Sequence, residues 1–417
     1  MHVARKKRLG SDAAVLLKNT IALFFIRGVN VIVPVIEAPY LIRTVGVEKY
    51  GVIVFSLSFA AYFASVMSYG FMITATRDIA RNRSDKDKVS AIYSNTMAAT
   101  VGIIILSFCV AGALIFIIPG FGDNKLLFMG AILLVSAQSA LPAWLFNGLE
   151  RMGLIAVLSA LSKIGYILVL IFLVKKESDY IYVNIIYATC SFVMLILALV
   201  VARFVLNVRL RSVRVSEIKK VYAGGYHVFL MQAAPILYSN SSVFFLGVFA
   251  SSIAVGLYSA AMKVTEALTT VGRVIATVFL PYISRKPEKH SVFAKAMMIL
   301  GIIFTVFVFV FSEKIAHFMY AGSGSNVKVY LQWLSFSVFF GFSYLVYGVN
   351  YLALSSHEKD AAMISVGVSL LGFVLIIALT PIWGLSAVIA VFIFSRMLLS
   401  LLSCIKYMKF EKVGVFK

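Results

Sequence analysis

Residues 21–37 read Ile21-Ala22-Leu23-Phe24-Phe25-Ile26-Arg27-Gly28-Val29-Asn30-Val31-Ile32-Val33-Pro34-Val35-Ile36-Glu37. An apolar run that opens near Val15 carries Arg27, Asn30, Pro34 and Glu37 within it. At 1.5 Å of rise per residue the run is long enough to cross a hydrocarbon layer of about 30 Å. Charge at bilayer depth is costly, so such residues face a polar interior or one another. Arg27, Asn30, Pro34 and Glu37 fall at i, i+3, i+7 and i+10, which places them on one side of a helix. The stretch therefore predicts a membrane helix with a polar, charged face.

The same signature recurs outward from it. Lys163, Lys263, Glu266, Arg273 and Arg396 also sit inside apolar runs. Most of these intramembrane charges are cationic, and a cationic interior suggests a pathway for something anionic. Lys263, Glu266, Thr270 and Arg273 repeat the spacing of the first helix. Two helices, one in each half of the chain, thus present matching polar faces.

The chain has 417 residues, of which 61% are hydrophobic and 13% charged, with a mean hydropathy of +0.98. Too few polar groups are present to cover a soluble domain, so the sequence predicts an all-α integral membrane protein. Apolar windows of about 20 residues place twelve transmembrane helices, near 15–37, 50–74, 90–118, 125–147, 153–174, 181–205, 223–247, 253–283, 291–312, 327–353, 361–379 and 382–405. A basic loop near residues 206–222 divides them into two six-helix bundles, 1–210 and 211–417, expected to enclose a central cavity. The first helix reads as retained, with no small-residue cleavage site after it.

The formal net charge is +21. In a soluble chain that would point to nucleic acid. Here 26 of the 38 basic residues fall on one side of the expected spans and 7 on the other. The positive-inside rule then puts both termini in the cytoplasm and accounts for the charge, with the lipid bilayer as partner and no nucleic acid. Cys109, Cys190 and Cys404 lie in apolar runs without pairing or metal-ligand spacing. No phosphate-binding loop of the ATPase kind, no metal set and no catalytic grouping is legible, so no cofactor and no enzyme is expected.

An internal repeat is suggested by the hydropathy and by a 205-residue offset that aligns Gly51 with Gly256. Six helices per half give both halves the same orientation, which makes the repeats parallel. Pro34 and Pro235, each in the first helix of its half, would kink those helices and serve as hinges. Glu37 and Glu266 are the carboxylates placed in spans, and they are candidates for coupling transport to H+ or Na+.

Asn30, Pro34, Pro39-Tyr40-Leu41-Ile42-Arg43, Gly46 and Tyr50-Gly51, then Tyr69-Gly70-Phe71 and Ala75-Thr76-Arg77, resemble the opening of the Wzx-type O-antigen and polysaccharide flippases. These form the polysaccharide-transporter branch of the multidrug/oligosaccharidyl-lipid/polysaccharide exporter superfamily. Asn240, Gly247, Gly256, Tyr258, Ala261, Lys263 and Pro281-Tyr282 fit the same resemblance. It implies two six-helix bundles around a cationic cavity. It also implies transfer of an undecaprenyl-diphosphate-linked oligosaccharide from the cytoplasmic to the periplasmic leaflet of a bacterial inner membrane by alternating access. A polysaccharide polymerase and a chain-length regulator are the implied protein partners. Arg27 and Glu37 stand outside the family pattern.

Arg and Lys bind phosphate oxygens by charge-assisted hydrogen bonds. Arg27, Asn30, Lys163, Lys263, Arg273 and Arg396 are accordingly the candidate substrate-binding residues. One rival reading is a small-molecule or multidrug exporter of the same superfamily, although cationic drugs favour an acidic cavity. The other is a membrane polysaccharide polymerase, which would be expected to carry a substantial periplasmic loop with catalytic groups.

Overall fold

In the computed structural model the described backbone covers residues 2–285, 287–320, 325–352 and 358–413. Side chains are described except in 1–27, 29–31, 119, 230–231, 233–239, 281–282, 284–287, 321–326, 353–359 and 410–417. Among the described residues every regular element is helical. The helices are α1 His2–Ser68, α2 Phe71–Arg81, α3 Lys86–Ile117, α4 Lys125–Ala140, α5 Ala143–Gly148, α6 Met152–Leu173 and α7 Val183–Phe204. They continue with α8 Val215–Phe249, α9 Ser252–Arg285, α10 His290–Val310, α11 Ser312–Tyr320, α12 Ser325–Tyr344 and α13 Glu358–Val413; a π-helical turn, Leu345–Tyr351, follows α12. By length and composition, eight stretches of the described residues can cross a membrane.

Two of those stretches, Ile32–Arg81 and Asp360–Lys409, are 50 residues long. Straight, each would reach about 75 Å, more than twice the hydrocarbon thickness. Neither is straight. Gly46 (φ 83°, ψ 159°) breaks α1 and Gly384 (φ 52°, ψ −127°) breaks α13. Only glycine visits such angles without steric cost, so a single residue kinks each helix where a loop would otherwise stand. This corrects the loop expected over 38–49: Pro39, Arg43 and Lys49 are helical, and the turn is Gly46 alone. Arg43 reaches α11 instead, donating from Nη2 to the Phe318 carbonyl at 2.6 Å and lying over the Phe318 ring.

The chain forms two compact units, Met1–Val33 with Phe59–Ile236 and Pro34–Ser58 with Leu237–Lys417. The chain passes between them at Val33–Pro34, at Ser58–Phe59 and at Ile236–Leu237, one residue after Pro235.

In the first unit, Phe59, Phe121 and Phe128 meet edge to face at 4.6–5.8 Å. α4 lies close on α7, with Gly130 against Ile185 and Asn184 donating to the Leu127 carbonyl at 3.1 Å. The basic segment after α7 is tied down: the Arg209 and Arg211 amides donate to the Ser90 and Ser94 hydroxyls of α3 at 3.2 and 2.8 Å. The Arg211 side chain also pairs with Asp87.

In the second unit, Phe342 is fully buried between Gly272 of α9 and Gly301 of α10, surrounded by Ala276, Met297, Val338 and Val346. The backbones of α1 and α9 cross at Gly51 and Gly256. A Cβ on Gly51 would fall 1.7 Å from the Ser252 carbonyl oxygen, and one on Gly256 would fall 2.3 Å from that of Val47. Lipid gives helices no hydrophobic reason to associate, so such contacts rest on small residues that let backbones approach.

Candidate substrate and coupling sites

The first unit holds a polar cavity of about 300 Å³ between α4, α6 and α7. Pro142 lacks an amide hydrogen and holds its predecessor extended; α4 therefore ends at Ala140, and Leu141 (φ −63°, ψ 118°) turns into the cavity wall. Ser159, Ser162 and Lys163 line it from one face of α6, and Tyr187, Ser191 and Met194 from one face of α7. Gln138 completes the polar lining from α4. The Tyr187 ring stacks on the buried Tyr166 ring at 4.1 Å between centroids. Ser162 Oγ donates to the Cys190 carbonyl at 3.3 Å, pinning α6 to α7. One half-buried ammonium among hydroxyl and amide groups suits an anion attached to a polyol.

A second assembly lies in the other unit. Tyr50 of α1 is 3% exposed, and the carboxylates of Glu37 and Glu266 and the Tyr320 phenol are all near enough to act on it electrostatically. Tyr320 is also buried and donates to the Leu257 carbonyl at 2.7 Å. Glu37 is half-buried two turns before the Gly46 break, inside the helix and not at its end.

The remaining candidates are distributed. Lys263 is half-buried on α9, while Glu266 and Arg273 are exposed on it. Among the described residues no ion pair joins Glu266 to Lys263 or Arg273. Arg396 is half-buried on α13, its guanidinium 5.3 Å above the Phe392 ring. Pro34 is half-buried within α1. The side chains of Arg27, Asn30 and Pro235 lie outside the described residues.

Three features had no signal in the sequence. Tyr50 stands in the Tyr50-Gly51 pair of the family resemblance, but nothing in the sequence links it to Tyr320, far along the chain. His290 is 5% exposed among the rings of Phe293, Tyr347, Tyr351 and Tyr407, at 5.1–6.5 Å. At the other end of the first unit, Arg83, Lys86, Arg151 and Asn207 line a basic cavity of about 310 Å³, where Arg83 pairs with Glu150 at 2.5 Å.

The sequence pattern of the polysaccharide biosynthesis protein family matches residues 16–287. The chain belongs to that family. Among relatives in this polysaccharide biosynthesis family, a protein of Escherichia coli strain K12 named "Putative O-antigen transporter" is 26% identical over 376 residues, 88% of this chain and 91% of its own length. A protein of the same name from Shigella dysenteriae is 24% identical over 275 residues, 64% of this chain and 67% of its own length. The fold is similar to that of the lipid II flippase MurJ in an inward closed conformation, with a TM-score of 0.68 at 16% identity, covering 93% of this chain and 87% of that one. It is also similar to an inward-facing multidrug resistance transporter of the MATE family, MOP superfamily, with a TM-score of 0.57 at 15% identity, covering 92% of this chain and 99% of that one. A family member with this fold and these apolar helices is a multi-pass membrane protein.

Proposed function

We propose that the protein is a flippase, not an enzyme. It moves an undecaprenyl-diphosphate-linked oligosaccharide from the cytoplasmic to the periplasmic leaflet of a bacterial inner membrane by alternating access. The Lys163 cavity carries this reading. A diphosphate cannot enter hydrocarbon unaided, and the Lys163 ammonium in this cavity can pair with its phosphate oxygens by charge-assisted hydrogen bonds. The surrounding Ser, Gln and Tyr groups provide hydrogen bonds for a sugar. The names of the Escherichia coli and Shigella relatives support a polysaccharide intermediate as cargo. We read twelve spans with both termini cytoplasmic, and hinges at Pro34 and Pro235. Lys263, Arg273 and Arg396 act on the same anion during passage, together with Arg27 and Asn30. Glu37 and Glu266 admit H+ or Na+ as the coupling ion. A polysaccharide polymerase and a chain-length regulator would receive the delivered unit.

The test is the distribution of the lipid-linked glycan between leaflets, with and without this protein. Depletion should trap the glycan on the cytoplasmic side. An unchanged distribution would overturn the reading.

A further inference from the structure

The polar cavity has an apolar neighbour. It shares Ser162 and Met194 with an apolar groove of about 430 Å³ along the seam of α6 and α7. Leu158, Gly165 and Leu173 line the groove from α6, and Cys190, Val193 and Leu197 from α7. From Leu158 to Leu173 it follows α6 for about 22 Å. A cationic polar chamber beside a long apolar groove has the form of an amphiphile with an anionic head. Lys163 stands 11 residues from the start of α6 and 10 from its end, about 15 Å from either. A resident phospholipid keeps its headgroup at the membrane surface and has no reason to place it at that depth. A lipid in transit must carry its head through it.

We infer that the α6–α7 seam is the lateral groove that holds the polyprenyl chain of the cargo while its diphosphate pairs with Lys163. This rests on the flippase reading and adds where the tail runs. Tail and head are then read by different residues, so each can be removed separately. Gly165 supplies the means, because a side chain built there would meet no heavy atom within 4 Å at its Cβ. Gly165→Phe fills the groove without disturbing the fold. Gly153 is equally open, lines neither cavity and serves as the control.

The experiment measures binding of inorganic pyrophosphate and of farnesyl diphosphate to the purified full-length protein in detergent, with a diazirine-bearing farnesyl diphosphate to map cross-links. Wild type should bind farnesyl diphosphate at least tenfold more tightly than pyrophosphate and cross-link on α6 and α7. Gly165→Phe should erase that advantage and leave pyrophosphate binding unchanged. Lys163→Ala should weaken both ligands, and Gly153→Phe neither. A Gly165→Phe variant that keeps the farnesyl advantage, or labels elsewhere, would overturn the groove. So would displacement of farnesyl diphosphate by phosphatidylglycerol at equal concentration, which would assign the groove to ordinary membrane lipid. Glycan export preserved in cells carrying Gly165→Phe would overturn the groove alone, whereas glycan distribution indifferent to loss of the whole protein would overturn the flippase reading beneath it.

Discussion

At the scale of single residues, Lys163 offers the most direct test of the proposed function. A hydrogen bond between a charged donor and a phosphate contributes ~1.5–3 kcal/mol, and each ~1.4 kcal/mol is a factor of ten. Lys163→Ala should therefore lower glycan export roughly tenfold or more at normal membrane abundance, as read by leaflet-resolved glycan labelling. Lys163→Arg should be milder. Asp85 supports a different expectation. It caps α3, accepting from the Asp87 and Lys88 amides at 3.1 Å each. The Lys88 amide is the largest of the influences that hold its carboxyl below the ordinary range. A carboxyl depressed in the folded state contributes stability above its unfolded pKa and loses it as pH falls through the folded value. Thermal unfolding in detergent between neutral and acid pH should show that loss in wild type. Asp85→Asn, which still caps but does not titrate, should show less of it.

At the scale of helices, the pairing of α1 with α9 sets two expectations. The first is steric. Gly51→Val should fail to accumulate in the membrane, since the added Cβ would meet the Ser252 carbonyl oxygen at 1.7 Å and backbone cannot move aside as a side chain would. Overpacking commonly costs about 1–3 kcal/mol and more where main chain is struck. Gly28→Ala on the same helix, with nothing within 4 Å, should be normal; membrane abundance by immunoblot separates the two. The second is electrostatic. Glu37 and Glu266 are the carboxylates proposed for coupling. Substrate passage should therefore be linked to ion uptake there. In proteoliposomes with an imposed pH or sodium gradient, Glu266→Gln should abolish the gradient dependence that wild type shows. Wild-type transport indifferent to both gradients would remove coupling from this pair.

At the scale of the whole molecule, the expected topology can be read directly. Reporter fusions after residues 122, 178 and 324 should report periplasm, and those after 84, 212 and 288 cytoplasm; a consistent inversion, or an odd number of spans, would rule out the paired six-helix halves. Much of the helical pattern was legible because lipid demands about twenty apolar residues per crossing, and helices occupy each region where a span was expected. Residues 38–49 were not legible. Pro39, Arg43 and Lys49 look like a loop to any rule based on polarity, while the actual break is Gly46 with its positive φ. The site divided in the same way. Lys163 announced itself by its charge in an apolar run, but the groove beside it is made of Leu, Val and Gly, which read like any lipid-facing helix. Tyr50 and Tyr320 meet through the fold, which spacing along the chain cannot reveal.

Gly51 and Gly256 are counterparts under the 205-residue offset, and each lies against the other's backbone: a Cβ on Gly51 would come within 3.0 Å of the Gly256 amide nitrogen. A position that touches its own counterpart is the signature of a two-fold axis, as in the self-complementary contact of a symmetric dimer. A side chain gained at either position would strike the backbone at the other, so two codons far apart in the gene are bound by one packing constraint.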